Sequence, residues 1–253
     1  MAISLVIPLR DPVSVIAPLL AQLQPLRGAD FEIIVVEAEP PLVDSVATLD
    51  TGARLRDEVD QWLMSAPGRA TQLQLGAQAA THSLLWFLHA DSIDIDAAAR
   101  WLQDRGVEAD KASDLGVWGR FDVGFDDSSP LLRCVAWLMN SRSRLTRVFT
   151  GDQGIWVSAR LLVRAGGWPQ QPLMEDVELS KRLRVLVEPL LNDTPALTTS
   201  ARRWRRDGTL RTILLMWWLR LRYAWGADPQ DLHGLYYREG YAPVREAGRD
   251  GAK

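Results

Sequence analysis

Cysteine is nearly absent: Cys134 is the only one in 253 residues. An intramolecular disulfide is therefore impossible, and no cysteine-based zinc cluster can form. A lone cysteine fits a reducing compartment. Histidine is scarce as well, with three, which speaks against a His-rich metal site. Long apolar runs are missing. The longest near the C-terminus, Ile213 to Leu219, stops at Arg220, far short of the roughly 20 residues that span a bilayer. The stretch from Met1 to Pro8 has no basic start and too short an apolar run for a signal peptide. Excess positive charge is absent too. The 29 Lys and Arg stand against 32 Asp and Glu, net −3, so the chain is no nucleic-acid-binding polycation. What remains is ordinary globular usage, 47% hydrophobic and 24% charged, with 11 tryptophans. Such a chain buries a full core without staples. The tryptophans read equally as stacking or interfacial surfaces and as a Trp-rich core.

Ile3 to Ile7 is short, apolar and β-branched, and reads as a buried strand ended by Pro8. Asp11-Pro12 has the chemistry of a helix start, and Ile16, Leu19, Leu20 and Leu23 follow at helical spacing. Phe31 to Val36 is a second buried strand, so the two strands should be parallel. Residues 60–64 read as a short strand, Gly68 to Ala80 as a helix, and Leu84 to Leu88 as the central strand. Near-continuous apolar strands predict a parallel sheet covered on both faces. Ligands of such sheets bind beyond the carboxyl ends of the strands. There the sequence places Arg10 and Asp11, then Glu37 and Glu39, then His89, Asp91, Asp94 and Asp96. Acids gathered on one edge call for a cation, and a divalent metal carrying a phosphorylated ligand would satisfy them. Asp94 and Asp96 read better as helix caps; Asp91, just past the central strand, reads as functional.

Farther along, Gly119 to Val123 alternates as a strand, and Cys134 reads as a buried small hydrophobe. Gly151-Asp152-Gln153-Gly154 is a loop entering the strand Ile155 to Val157; Asp152 is either a turn residue or a ligand of sugar hydroxyls. Trp168, after Gly166-Gly167, either stacks on a sugar face or fills the core. Val177 to Arg184 reads as a helix. Helical periodicity puts Asp176 on the inward face with Leu179 and Leu183, and Glu175 on the charged face with Glu178 and Arg182. A desolvated acid there suits a general base, which makes Asp176 the first choice and Glu175 the second. Residues 200–226 hold seven arginines against Asp207, interleaved with Trp204, Trp217, Trp218 and Trp225. From Pro130 to Phe149 there are four more arginines and no acid. Leu210 to Trp225 reads as a helix that is apolar all round at its centre. Arg and Trp together suit a membrane interface, and packing on the sheet or on a second copy explains them as well.

Several segments in order resemble family 2 glycosyltransferases of the GT-A fold. They are Ser4 to Pro8, Glu32 to Glu37, Leu88-His89-Ala90-Asp91-Ser92 and Met174 to Leu179. The chain is similar in particular to a bacterial subgroup in which His-Ala-Asp replaces Asp-x-Asp. That subgroup shares Gly68-Arg69, Gly119 to Val123, Gly151-Asp152-Gln153 and Ser200 to Trp204. The similarity covers roughly residues 2–226.

The resemblance implies an α/β fold, a Rossmann-like, mixed but mainly parallel sheet flanked by helices, with a helical C-terminal extension. The core would be residues 1–200, the basic Trp-rich extension 201–242, and 243–253 a loose tail. It implies inverting transfer of a sugar from a UDP- or GDP-sugar to a hydroxyl acceptor; the composition adds a cytoplasmic protein, and the Arg- and Trp-rich segments a lipid-linked acceptor with peripheral contact to the inner membrane face, or an oligomer. Pro8, Glu37, Gly68, Arg69 and Asp91 would bind nucleotide, and Asp152, Gln153 and Trp168 the sugars. Asp176 and Glu175 would supply the base, and Asp91 with His89 would hold Mn²⁺ or Mg²⁺. Two departures stand out. Glu37-Ala38-Glu39 replaces the family's Asp-Gly-Ser, and His89 replaces a carboxylate. The alternatives are a binding protein that has lost turnover and a nucleotidyltransferase; for the latter the Gly-rich phosphate loop is missing after the first strand.

Overall fold

The computed structural model describes residues 3–10, 15–28, 30–39, 46–191, 194–201 and 208–238. The expected helix start at Asp11-Pro12, the arginines 202, 203, 205 and 206 with Trp204, and the tail at 243–253 lie outside the described residues.

Four strands are parallel: β1 (Ile3–Leu9), β2 (Phe31–Ala38), β3 (Gln61–Ser65) and β4 (Leu84–Phe87). β1 lies between β2 and β4, so the chain leaves β1 first to one side and later to the other. Two antiparallel strands, β8 (Trp156–Ser158) and β6 (Trp118–Gly119), extend the sheet to the order β3-β2-β1-β4-β8-β6. A smaller sheet, β5-β9-β7, joins Ser92–Ile93, Ala196–Thr199 and Asp122–Phe125.

β1 runs one residue past Pro8, where Leu9 pairs with Glu37. Proline donates no ladder bond, but the β1–β4 ladder already ends at Val6 and Phe87, so none is lost there. The expected strand over Gly119 to Val123 is instead two strands in different sheets, with Arg120 and Phe121 at the crossing.

Alternation along the strands builds two cores, because side chains in a strand point alternately to opposite faces. Ile3, Leu5, Ile7 and Leu9 with Ile33 and Val35 pack on Leu19, Leu20 and Leu23 of α1 (Ala17–Leu23) and on Ala98 and Ala99 of α4 (Asp96–Trp101). Val6, Ile34, Val36, Leu85 and Phe87 face Leu73 of α3 (Arg69–Ala79) and Leu179 and Leu183 of α8 (Glu175–Leu186). Between them in the chain lie α2 (Val46–Asp57), α5 (Val107–Ala112), α6 (Pro130–Thr146) and α7 (Ala159–Arg164). Two further helices, α9 (Thr209–Ala224) and α10 (Pro229–Arg238), place Leu219, Leu232 and Tyr236 against Met174 and Val177 at the start of α8. The extension is thus seated on the acid-bearing helix.

One expectation about burial fails, and an open one is resolved. Cys134 is exposed, because it falls on the outer side of α6. α9 buries Leu219 but exposes Leu214, Trp217, Trp218, Leu221 and Trp225.

Close packing of α3 on the sheet requires Gly76. A Cβ there would stand 2.3 Å from Val6 Cγ1 and 3.2 Å from Val36 Cγ2. Gly76→Ala is expected to destabilise the protein by about 1–3 kcal/mol through overpacking, read as a lower urea midpoint with an unchanged slope. A midpoint equal to wild type would refute this packing.

Candidate active site

The parallel strands end on one edge, and the resemblance-derived residues gather there from β4, α3, the 150–154 loop and α8. Gly68, at φ 146°, caps α3 in a conformation that glycine tolerates, and Arg69 opens the helix. The Arg69 guanidinium reaches across the edge. Its Nη1 donates to Glu175 Oε1 at 2.7 Å and lies 3.9 Å from Asp176 Oδ2; its Nη2 lies 2.8 Å from His89 Nε2. A guanidinium only donates, so this imidazole nitrogen is the acceptor. His89 Nε2 also lies 3.5 Å from Asp152 Oδ1. Gly151 backs directly onto this pair, since a Cβ there would fall 1.8 Å from Arg69 Nη2 and 2.6 Å from His89 Nε2.

The acid pair opens α8. Met174 precedes it in the left-handed region at φ 62°, which turns the chain sharply into the helix. Both acids are buried, Glu175 at 4% exposure and Asp176 at 9%. The expected exposure of Glu175 is therefore corrected. The helical wheel places it beside Glu178, but at the first turn Arg69 covers it. Asp176 is held by backbone: Oδ2 accepts from the Gly151 N–H and Oδ1 from the Val177 N–H, each at 2.8 Å. Burial pushes the Glu175 carboxyl up to about 7, against the opposing pull of Arg69 and with a further push from Asp176.

Other expected residues divide. Asp152 is open, its side chain 42% exposed. Asp91 is partly buried and makes no hydrogen bond or ion pair among the described residues. Glu37 is buried, and its Oε2 accepts from Trp62 Nε1 at 2.9 Å and Arg56 Nη2 at 3.3 Å. Pro8 is part-buried in β1. Two sugar-contact expectations are corrected. Trp168 is 2% exposed and packs edge-on against Phe87 at 4.9 Å, so it is a core residue. Gln153 is fully buried, closing a capping box with Thr150 and donating to Ser143 Oγ at 3.0 Å. Among the described residues no group of three His, Cys, Asp or Glu side chains is arranged to hold a metal ion.

Sequence reasoning missed how closely two arginines approach the acids. Arg142 of α6 and Arg220 of α9 both feel the Asp176 charge, and Arg220 also feels Asp152. The acid-free run around Arg142 was the available signal. Burial and the charge of Arg220 push the Arg142 guanidinium down to about 10, and burial lowers Arg220.

No protein-family model matches the chain, and no curated protein does. Solved structures do. The chain is similar to S. aureus TarS in complex with UDP-GlcNAc, with a TM-score of 0.57 and 14% identity over 80% of this chain and 59% of that one. It is similar to the mannosyltransferase PcManGT from Pyrobaculum calidifontis in complex with GDP-Man and Mn²⁺, with a TM-score of 0.55 and 17% identity over 94% and 69%. The chain spans about 60% of the length of the TarS 1–349 structures it matches and 39% of the longer TarS structure. At these identities the likeness is one of fold: the molecule has the mixed, mainly parallel α/β architecture of GT-A glycosyltransferases.

The buried acid pair makes a pH prediction. Because the Glu175 pKa is raised on folding, the native state binds the extra proton between about pH 4.5 and 7, and this group's contribution to stability falls as pH rises through that window. Glu175→Gln should make the thermal midpoint fall less than wild type between pH 4.5 and 7.5. Parallel curves would show that Glu175 ionises normally. Gly151→Ala should displace Arg69 from Glu175 and His89, leaving a folded protein whose Glu175-dependent pH effect is enlarged, because the opposing arginine is gone.

Proposed function

We propose that the chain is a glycosyltransferase that binds a nucleotide-diphosphate sugar along the carboxyl edge of β1, β2 and β4. It passes the sugar to an acceptor hydroxyl with inversion. The observation that carries this reading is the buried Glu175-Asp176 pair, brought by α8 against Arg69, His89 and Asp152 at that edge. The likeness to structures holding UDP-GlcNAc and GDP-Man supports it.

Asp176 is the base in this reading. Its two backbone hydrogen bonds fix its orientation, and each oxygen retains a lone pair. The acceptor oxygen attacks the anomeric carbon, its proton passes to Asp176, and the bond to the diphosphate breaks with the electron pair leaving on the phosphate oxygen. Glu175 holds Arg69, whose positive charge faces the edge where the leaving group gains negative charge. Asp152, exposed beside His89, is placed for sugar hydroxyls.

A divalent ion fits a site of this kind through Asp91, because Mg²⁺ and Mn²⁺ are commonly held by one or two carboxylates together with substrate phosphates. Bound there, it would supply positive charge to the diphosphate. His89 fits less well as a ligand, since its Nε2 lone pair accepts from Arg69.

The acceptor side favours a membrane surface. Leu214, Trp217, Trp218, Leu221 and Trp225 of α9 and Trp137, Leu138 and Leu145 of α6 are exposed, and the Arg222 guanidinium stacks over Trp218 at 5.0 Å. Among the described residues no helix is long and apolar enough to cross a membrane. This surface suits peripheral contact with anionic lipid.

A thermal-shift panel of nucleoside diphosphates with and without Mn²⁺ tests the donor. Ligand at 100 times its Kd adds about 2.7 kcal/mol, a rise of roughly 5–10 °C for a chain of this size. No shift with any nucleotide would sink the reading, and a shift with no transfer would favour a binding protein. Asp176→Asn should bind nucleotide and lose transfer by about 10²-fold or more; near-normal turnover would remove Asp176 from its role. Flotation with anionic vesicles at low salt should carry the protein upward, and its absence would end the lipid contact.

A further inference from the structure

Three arginines from three elements converge behind the acid pair. Arg120 lies between β6 and β7, Arg142 on α6 and Arg220 on α9. Five of their nitrogens, Arg120 Nε and Nη2, Arg142 Nε and Nη2, and Arg220 Nε, are buried and make no hydrogen bond among the described residues. Arg120 is accounted for by charge, since it pairs with Asp122 and lies over the Phe149 ring. Arg142 and Arg220 are not. Arg142 is anchored by one bond, Nη1 to the Val148 carbonyl at 3.1 Å, and neither guanidinium forms a direct ion pair among the described residues. The carboxylate they both sense, Asp176, accepts one backbone N–H on each oxygen and bonds to neither guanidinium.

A buried, charged donor without a partner costs more than a neutral one. Two such donors side by side, each also repelled by the other, need an anion. Two guanidiniums offer several N–H groups at fixed angles, which matches the oxygens of a phosphoryl group better than a single carboxylate. The chain elements that carry these arginines differ from those at the strand edge. Glu175 is coupled to Arg69, which reaches His89 past β4 on the strand edge. Arg142 feels Asp176, Arg220 feels Asp176 and Asp152, and both come from the helices that carry the exposed apolar surface.

We propose that Arg142 and Arg220 form an oxyanion site that takes a phosphoryl group of the acceptor, next to the base Asp176. The acceptor assignment rests on the transferase reading, and the site on the buried, unbonded Arg142 Nε and Nη2 and Arg220 Nε. It explains why an acid-poor stretch of α6 and the inner face of α9 meet beside the acid pair. The acceptor would be a phosphorylated alcohol or polyol whose phosphate anchors it while a hydroxyl faces Asp176, or a lipid carrying such a headgroup.

Calorimetric titration of inorganic phosphate into the full chain tests this, with and without a saturating nucleoside diphosphate. Phosphate should bind, and its affinity should change by no more than about twofold when nucleotide is present. Arg142→Gln and Arg220→Gln should each weaken phosphate about tenfold or more, the usual loss for a charged hydrogen bond, while nucleotide affinity holds. Retained nucleotide binding shows that these variants fold, and Arg220→Lys should recover part of the loss. Competition between phosphate and nucleotide would overturn the proposal by assigning the arginines to the donor diphosphate. Phosphate binding indifferent to both substitutions, or none in wild type, would also overturn it. Phosphate binding with no nucleotide binding would keep the oxyanion site and sink the transferase reading.

Discussion

The ion pair between Arg69 and Glu175 is the interaction on which the site depends. It joins the first residue of α3 to the first residue of α8 across 106 positions of sequence. Without it, Glu175 would be buried beside Asp176 with no cation bonded to it, and burial and the neighbouring carboxylate both push it toward the protonated form. With it, one carboxyl is paired and the other is left to the Gly151 and Val177 amides. Gly151 must be bare for the arginine to pass, so the loop, the helix start and the imidazole of His89 are packed around one guanidinium.

This also explains the division of labour between the acids. Adjacent residues at the start of a helix ordinarily share an environment. Here Glu175 is bonded to the Arg69 guanidinium, and Asp176 is oriented by two amides. The raised carboxyl is the one beside the arginine, because burial outweighs the pairing there.

Much of the fold was legible. The apolar runs at Ile3, Phe31 and Leu84 are strands, and the spacing from Arg69 to Ala79 is a helix, because uninterrupted β-branched runs and Ala-rich periodic segments each have one cheap way to be buried. The edge at Asp91 followed from topology. The failures share a cause: periodicity tells which way a side chain points within its element, and not what other elements lay over it. Glu175 points with the charged face yet is covered by Arg69. Trp168 and Gln153 sit in loop motifs that suggest exposure, but neighbouring strands and α6 close over them. Cys134 and Trp217 lie in apolar runs and remain outside, because no element packs on those faces among the described residues. The meeting of Arg142 and Arg220, 78 positions apart in the sequence, is a tertiary fact that no local pattern encodes.

The small second sheet positions the residues that follow β4. β5 begins one residue after Asp91, and it pairs with β9, whose last residue, Thr199, lies ten residues before α9. Asp91 is therefore tied through β5 to a ladder whose partner strand comes from the far end of the chain. A one-residue slip in that ladder would turn every side chain on the slipped strand to the other face. The strand that follows Asp91 is therefore held by two residue pairs alone, Ser92 with Thr199 and Ile93 with Thr198, so the placement of that carboxylate hangs on the shortest ladder of the small sheet.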